Sequence, residues 1–165
     1  MHRFPIGGKG LKIIALRCSH PVYKETFKEY LGVQAIDADL LFGVEHVEFA
    51  AKKAKKAFEN GENISNNLFV ETIVRASGQR QIKKAMEMFG LRGSKEIVIF
   101  GEEVPEEVKK LLEAESFEIR MDGGRLEILK EAFSITDAEI MAVSDHPAEA
   151  IKELIKERVS LVSTL

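Results

Sequence analysis

A chain of 165 residues, 45% hydrophobic and 31% charged, is long enough and apolar enough to bury a core, which excludes an intrinsically disordered protein. A formal net charge of −3 excludes a globally basic nucleic-acid binder and leaves room for a local basic cluster. The single cysteine, Cys18, excludes an internal disulfide and a Cys-rich zinc site, and its neighbours Ile14 and Leu16 make it a small buried hydrophobe at a strand end. No apolar run approaches the roughly 18 residues that span a bilayer, so no membrane partner is expected. Met1 to Gly10 lacks the apolar centre of a signal peptide, and the expected location is the cytoplasm. Abundant Lys and Glu, one Cys and no Trp are compatible with a thermophile.

Taken in chain order, residues 11–16 read as a first strand after a Gly-rich lead. Residues 21–31 read as a short helix ended by Gly32, and 33–38 as a second strand. Val44 to Glu59 is an amphipathic helix, with Val47, Ala50, Ala51, Ala54, Ala57 and Phe58 on one face and Asn60-Gly61 as its stop. Lys52, Lys53, Lys55 and Lys56 fall largely off that face and read as a solvated surface. Ser65 or Asn66 can cap a helix that runs to Ser77 and stops at Gly78. A third helix, Arg80 to Phe89, is expected to bury Ile82, Ala85, Met86 and Phe89.

The nearly continuous apolar run over 95–101 predicts a central strand. Pro105 opens a helix with Val108, Leu111 and Leu112 inward, and the alternation over 117–121 predicts a half-buried strand. Asp122-Gly123-Gly124 is a turn. Arg125 to Phe133 could be a hairpin partner or a helix, and Leu126, Leu129 and Phe133 favour the helix. Thr136 with Glu139 forms a capping box, and Pro147 opens a last helix whose apolar side is Ile151, Leu154, Ile155, Val159 and Val162. The sum, about four strands and six or seven helices without strict alternation, predicts an α+β or mixed α/β single domain over 1–165: a small mixed sheet with helices grouped on its faces.

Catalytic equipment is sparse. Gly7-Gly8-Lys9-Gly10 precedes a strand and no Ser or Thr follows its Lys, so it is not a phosphate-binding loop. His46 lacks a second ligand three or four residues away and reads as a capping or packing residue. Ser77 stands outside a Gly-x-Ser-x-Gly elbow. Glu71 either pairs with Arg75 at spacing four or braces the Gly78 loop from beneath. No cofactor is implied.

The informative segment is the joint between the second and third helices. Arg75, Arg80, Lys83 and Lys84 surround it. Arg80 and Lys84, four apart, repel on one helix face, while Glu87 relieves only Lys83. Unneutralised charge at a helix start, with amides at Gly78 and Gln79, favours a phosphate.

At these residues the chain resembles the small kinase-binding subunit of the KEOPS complex, whose human member is called the PRPK-binding protein. The matching pattern runs from Glu45-His46-Val47 through the Ala- and Lys-rich helix, Leu68 to Glu71, Ser77-Gly78-x-Arg80-Gln81-Ile82, Ala85 and Phe89-Gly90 to Leu91, and Ile151 to Leu165 resembles the family's ending. The resemblance implies an archaeal, non-enzymatic subunit of mixed α/β fold. It would bind the atypical kinase/ATPase of KEOPS, reach other subunits through that kinase, and recruit tRNA by its single-stranded 3′ CCA end for threonylcarbamoyladenosine modification. The tRNA site expected from the resemblance and the charge together is Arg75, Gly78, Arg80, Gln81, Ile82, Lys83 and Lys84. For the kinase, the apolar surface of the last helix, Ile151, Leu154, Ile155 and Val159, is either a docking face or core. Rival readings are an interaction scaffold without RNA binding and a small α/β nucleotide-binding enzyme. The enzyme would need a Gly-rich strand-to-helix loop or convergent acid–base groups, and the sequence offers neither.

Overall fold

The structure, a computed structural model, describes residues 2–6, 9–27 and 32–163. Among these it holds five strands: β1 (His2–Ile6), β2 (Lys9–Tyr23), β3 (Val33–Asp37), β4 (Arg92–Gly101) and β5 (Ala114–Ser116). Seven helices accompany them: α1 (Val44–Glu59), α2 (Leu68–Ser77), α3 (Ile82–Phe89), α4 (Glu106–Leu111), α5 (Gly123–Ala132), α6 (Asp137–Val143) and α7 (Pro147–Ser160). The α+β class therefore stands. The strand order is β1-β2-β4-β3, with β5 on β2, and all of these pairings are antiparallel where a mixed sheet was expected.

Strand alternation divides the apolar residues between two cores. Leu11, Ile13 and Ala15 of β2, Ile36 of β3, and Val98 and Phe100 of β4 face the helical layer of α1, α2, α3, α5, α6 and α7. Leu16, Cys18, Val33, Ile97 and Ile99 face the other side, where Val108 and Leu112 of the α4 region cover them. Strand β4 is thus buried on both faces and paired on both edges, which accounts for its unbroken apolar run.

Helix ends follow their sequence signals. Asn67, not Ser65 or Asn66, caps α2, its side-chain oxygen accepting from the amides of Phe69 and Val70. Thr136 and Glu139 form the reciprocal capping box of α6. Arg125 to Phe133 is helical, as the spacing favoured, with Asp122 as its cap.

Four further expectations fail. Residues 21–23 do not start a helix: β2 continues to Tyr23, because Val22 is buried and pairs with Ser94 across a register shift that accommodates Pro21. Lys24–Phe27 is one 3₁₀ turn, and residues 28–31 of that expected helix lie outside the described residues. The N-terminal lead contains β1, which pairs with β2 from Ile13 back to Lys9. Residues 117–121 form no strand. Continuing β5 along β2 would pair residue 119 with Ile13, but β1 already occupies that edge. After the Phe117 amide bonds the Ala15 carbonyl, the chain leaves the ladder, and Phe117, Ile119 and Met121 pack on the helical core. Lastly, Leu111 is exposed although Val108 and Leu112 are buried as expected.

The Thr136 cap gives a direct test. Thr136→Ala is expected to cost about 1 kcal/mol, read as a lower urea midpoint with an unchanged slope.

Candidate nucleic-acid interface

Helix α2 ends in a tight corner. The Ser77 hydroxyl donates to the Val74 carbonyl at 2.7 Å and accepts from the Gln79 amide at 3.0 Å. Gly78 takes a left-handed φ of +68°, and its amide donates to the Arg75 carbonyl. The amides of Gly78 and Gln79, offered to a phosphate on sequence grounds, are therefore consumed inside the turn. A Cβ at Gly78 would sit 3.5 Å from the Arg158 Cβ, so α7 backs the corner directly.

His46 fastens the corner to α1. Its ring is fully buried and stacks on Phe42 at 4.6 Å, with Phe133 and Phe89 around it. The Phe42 amide donates to Nδ1, so Nε2 carries the proton and donates to the Ala76 carbonyl at 2.9 Å. Burial lowers its pKa to about 4, and the bond to Ala76 opposes this only partly. A neutral imidazole thus holds the residue two before Gly78.

The predicted RNA-binding residues separate into two groups. Arg75 is buried, 2% exposed, and its guanidinium donates to Glu71 at 2.9 Å and to the Glu62 carbonyl. It cannot meet a phosphate at the surface, because its charge is matched inside the protein. Glu71 also accepts from the amides of Ile64 and Ser65, so it braces the loop before α2, not the Gly78 loop. Arg80, Gln81, Ile82, Lys83 and Lys84, by contrast, are all exposed and consecutive. Arg80 lies in the turn, not on the helix, since α3 starts at Ile82 with Gln81 as N-cap. Ile82 and Met86, expected in the core, are each 39% exposed, and α3 buries only Ala85 and Phe89.

Gln81 makes no side-chain cap bond, and the first turn of α3 contains no acidic residue but carries Lys83 and Lys84. A helix start favours negative charge, so two lysines there are placed against the field of the backbone. A bound anion would satisfy the lysines and the helix start together.

The predicted kinase-docking residues are core. Ile151, Ile155 and Val159 are fully buried and Leu154 is 5% exposed, all within the cluster that packs α7 against its neighbouring helices. The α7 stripe is wide because α1, α2, α5 and α6 all pack against this helix, so the stripe offers no surface to a partner.

Sequence reasoning missed the cavity beside α3. About 920 Å³ in volume, it lies between the β3 edge and α3 and is lined by Gln34, Ile36, Asn67, Lys83, Met86 and Glu87 among others. Met86 and Glu87 follow Lys83 at three and four residues, which puts all three on one side of α3. That spacing was readable. The approach of β3 to α3 was not.

The family described as kinase-binding protein CGI-121 matches residues 22–162. The chain belongs to that family. It is also 31% identical over 119 residues to the regulatory protein Cgi121 of Methanocaldococcus jannaschii, covering 69% of this chain and 78% of the relative. The match spans the corner, α3 and the cavity, and it identifies the family as one that binds a kinase.

Two outcomes follow from this geometry. Glu71→Gln should destabilise the protein by about 3–5 kcal/mol by stranding buried Arg75, measured by equilibrium denaturation. For His46 the folded pKa of about 4 lies below the ordinary 6.5, so the unfolded chain binds the proton first between these values. Its contribution is complete above pH 6.5 and is lost as pH falls, by about tenfold in the folding constant per pH unit down to about pH 4. Urea titrations at pH 7, 6 and 5 should show that slope, and His46→Gln should flatten it.

Proposed function

We propose that this family member is a non-catalytic, cytoplasmic subunit of the KEOPS tRNA-modifying complex. It binds the atypical kinase/ATPase subunit and recruits tRNA through the 3′ CCA end. The observation that carries the RNA half is the start of α3: Lys83 and Lys84 in a first turn without acid or side-chain cap, preceded by exposed Arg80 and flanked by exposed Ile82. Phosphates of a single strand answer the cations and the helix start, and an apolar side chain can lie against an unstacked base. The kinase half draws its support from family membership. A non-catalytic role fits the use of His46 and Glu71, two fully buried groups of the kind that serve as acids and bases elsewhere, in internal bonds.

Such a site is small, so binding should be moderate and salt-dependent. At one fixed salt concentration, intact tRNA should bind and the same tRNA with its CCA trimmed should bind far more weakly. Lys83→Glu and Arg80→Glu should each weaken binding by at least about tenfold and lower the salt slope by about one, with kinase pull-down unchanged. Equal binding of intact and trimmed tRNA would overturn the CCA reading.

A further inference from the structure

A second hollow, about 360 Å³ in volume, shares no residue with the cavity beside α3. It lies where the chain leaves β5, between β2, β4 and the start of α5, and its size is within the range of about 300–1,000 Å³ common for small-molecule sites. Three arginines line it, Arg17, Arg120 and Arg125, with three carboxylates, Glu96, Glu118 and Asp122, and one ring, Phe117.

The floor of the hollow is fixed. Arg125 is buried, its Nε donating to the Arg120 carbonyl and its Nη1 to the carbonyls of Ala38 and Leu41. Glu96 is shared between two cations: Oε1 accepts from Arg17 Nε and Nη2, and Oε2 stands 3.5 Å from Arg125 Nη2. Arg17 also lies over the Phe117 ring, 4.8 Å from its centre. One carboxylate thus serves two guanidiniums, and among the described residues nothing bonds Arg17 Nη1.

The rim is different. Phe117, Ile119 and Met121 pack on the helical core, so Glu118 and Arg120 alternate outward. These two are 82% and 81% exposed and 3.9 Å apart, beyond hydrogen-bond distance, so their contact is weak. Asp122 caps α5 through Oδ1 alone. Opposite charges with unused bonding capacity therefore face one hollow whose formal charges sum to zero. A simple anion or a simple cation would be drawn by one set and repelled by the other. A ligand that carries both charges answers both sets.

We propose that the hollow binds a small zwitterion of the α-amino acid class. Its carboxylate meets Arg17 and Arg120, its ammonium meets Glu118 and Asp122, and Phe117 offers apolar surface to its side chain. This site is separate from the basic corner and independent of the RNA reading.

The test uses the full chain, isotopically labelled, and follows backbone amide shifts by NMR as alanine is added at millimolar concentrations. The amides of Gly123 and Gly124, next to Asp122, should shift saturably, and that of Gly78 should not move. Propionate lacks the ammonium and ethylamine lacks the carboxylate, and each should bind at least about tenfold more weakly than alanine. Glu118→Gln should weaken alanine by about tenfold and leave propionate unchanged, and Arg120→Gln should weaken alanine similarly and leave ethylamine unchanged. Both side chains are exposed, so the variants keep the fold. Absence of saturable shifts at the two glycines overturns the proposal. Propionate or ethylamine binding as tightly as alanine also overturns it, since the hollow would then be a site for a single ion. Alanine binding unchanged in both variants overturns it as well.

Discussion

A carboxylate at 0% exposure, Glu71, sits in the first turn of α2, and the helical layer depends on how it is compensated. An unmatched buried charge would cost more than most single contacts supply. Glu71 is matched three ways: by the Arg75 guanidinium one turn on and by the backbone amides of Ile64 and Ser65. Those amides belong to the loop that returns the chain from α1. The charge therefore does more than stabilise one helix. It fixes the path of residues 62–65 and the direction in which α2 leaves that loop. Because Arg75 also donates to the Glu62 carbonyl, the loop is tied at two points to the same ion pair.

From that fixed start α2 runs to Ser77, where three other devices set the corner. His46 holds the Ala76 carbonyl, the Ser77 hydroxyl folds back on Val74, and Gly78 reverses the chain with its left-handed backbone. Arg158 supports the assembly from α7, its Nε donating to the Phe133 carbonyl and its Nη2 pairing with Glu139. Every polar group at the base of the corner is thus spent on architecture. The cations at 80–84 form the outward layer on a rigid support. This division suits a binding surface, since a ligand meeting a preformed corner incurs little ordering cost.

Much of this was legible in the sequence, and the failures share a cause. The bounds of α1 were readable because alanines at three- and four-residue spacing can serve only one face and Asn60-Gly61 ends it. The cap at Thr136 and the helix start at Pro147 were readable because such signals are local. Burial was harder. Arg75 looks like surface by residue type, and nothing local says that its partner Glu71 lies inside the same core. Ile82 and Met86 look like core by residue type, but α3 is short and only the Ala85–Phe89 side meets the other helices. The stretch 117–121 alternates as a strand does and lost its place because β1, on the far side of the sequence, holds that edge. Local rules decide what a segment can be, and non-local competition decides whether a partner is left for it.

The inversion of Arg75 and Ile82 sharpens the site. A corner ringed evenly with four cations would be a general polyanion trap, read only by charge. Withdrawing Arg75 into the core leaves Arg80, Lys83 and Lys84, and the phase of α3 then divides the two lysines. Lys83 faces the cavity with Met86 and Glu87, while Lys84, about 100° further round the helix, does not line it. Exposed Ile82 adds an apolar element to the same few residues. Charge alone holds phosphates without distinguishing one strand from another. On a chain whose net charge is −3, that arrangement gathers positive charge and apolar surface at one corner.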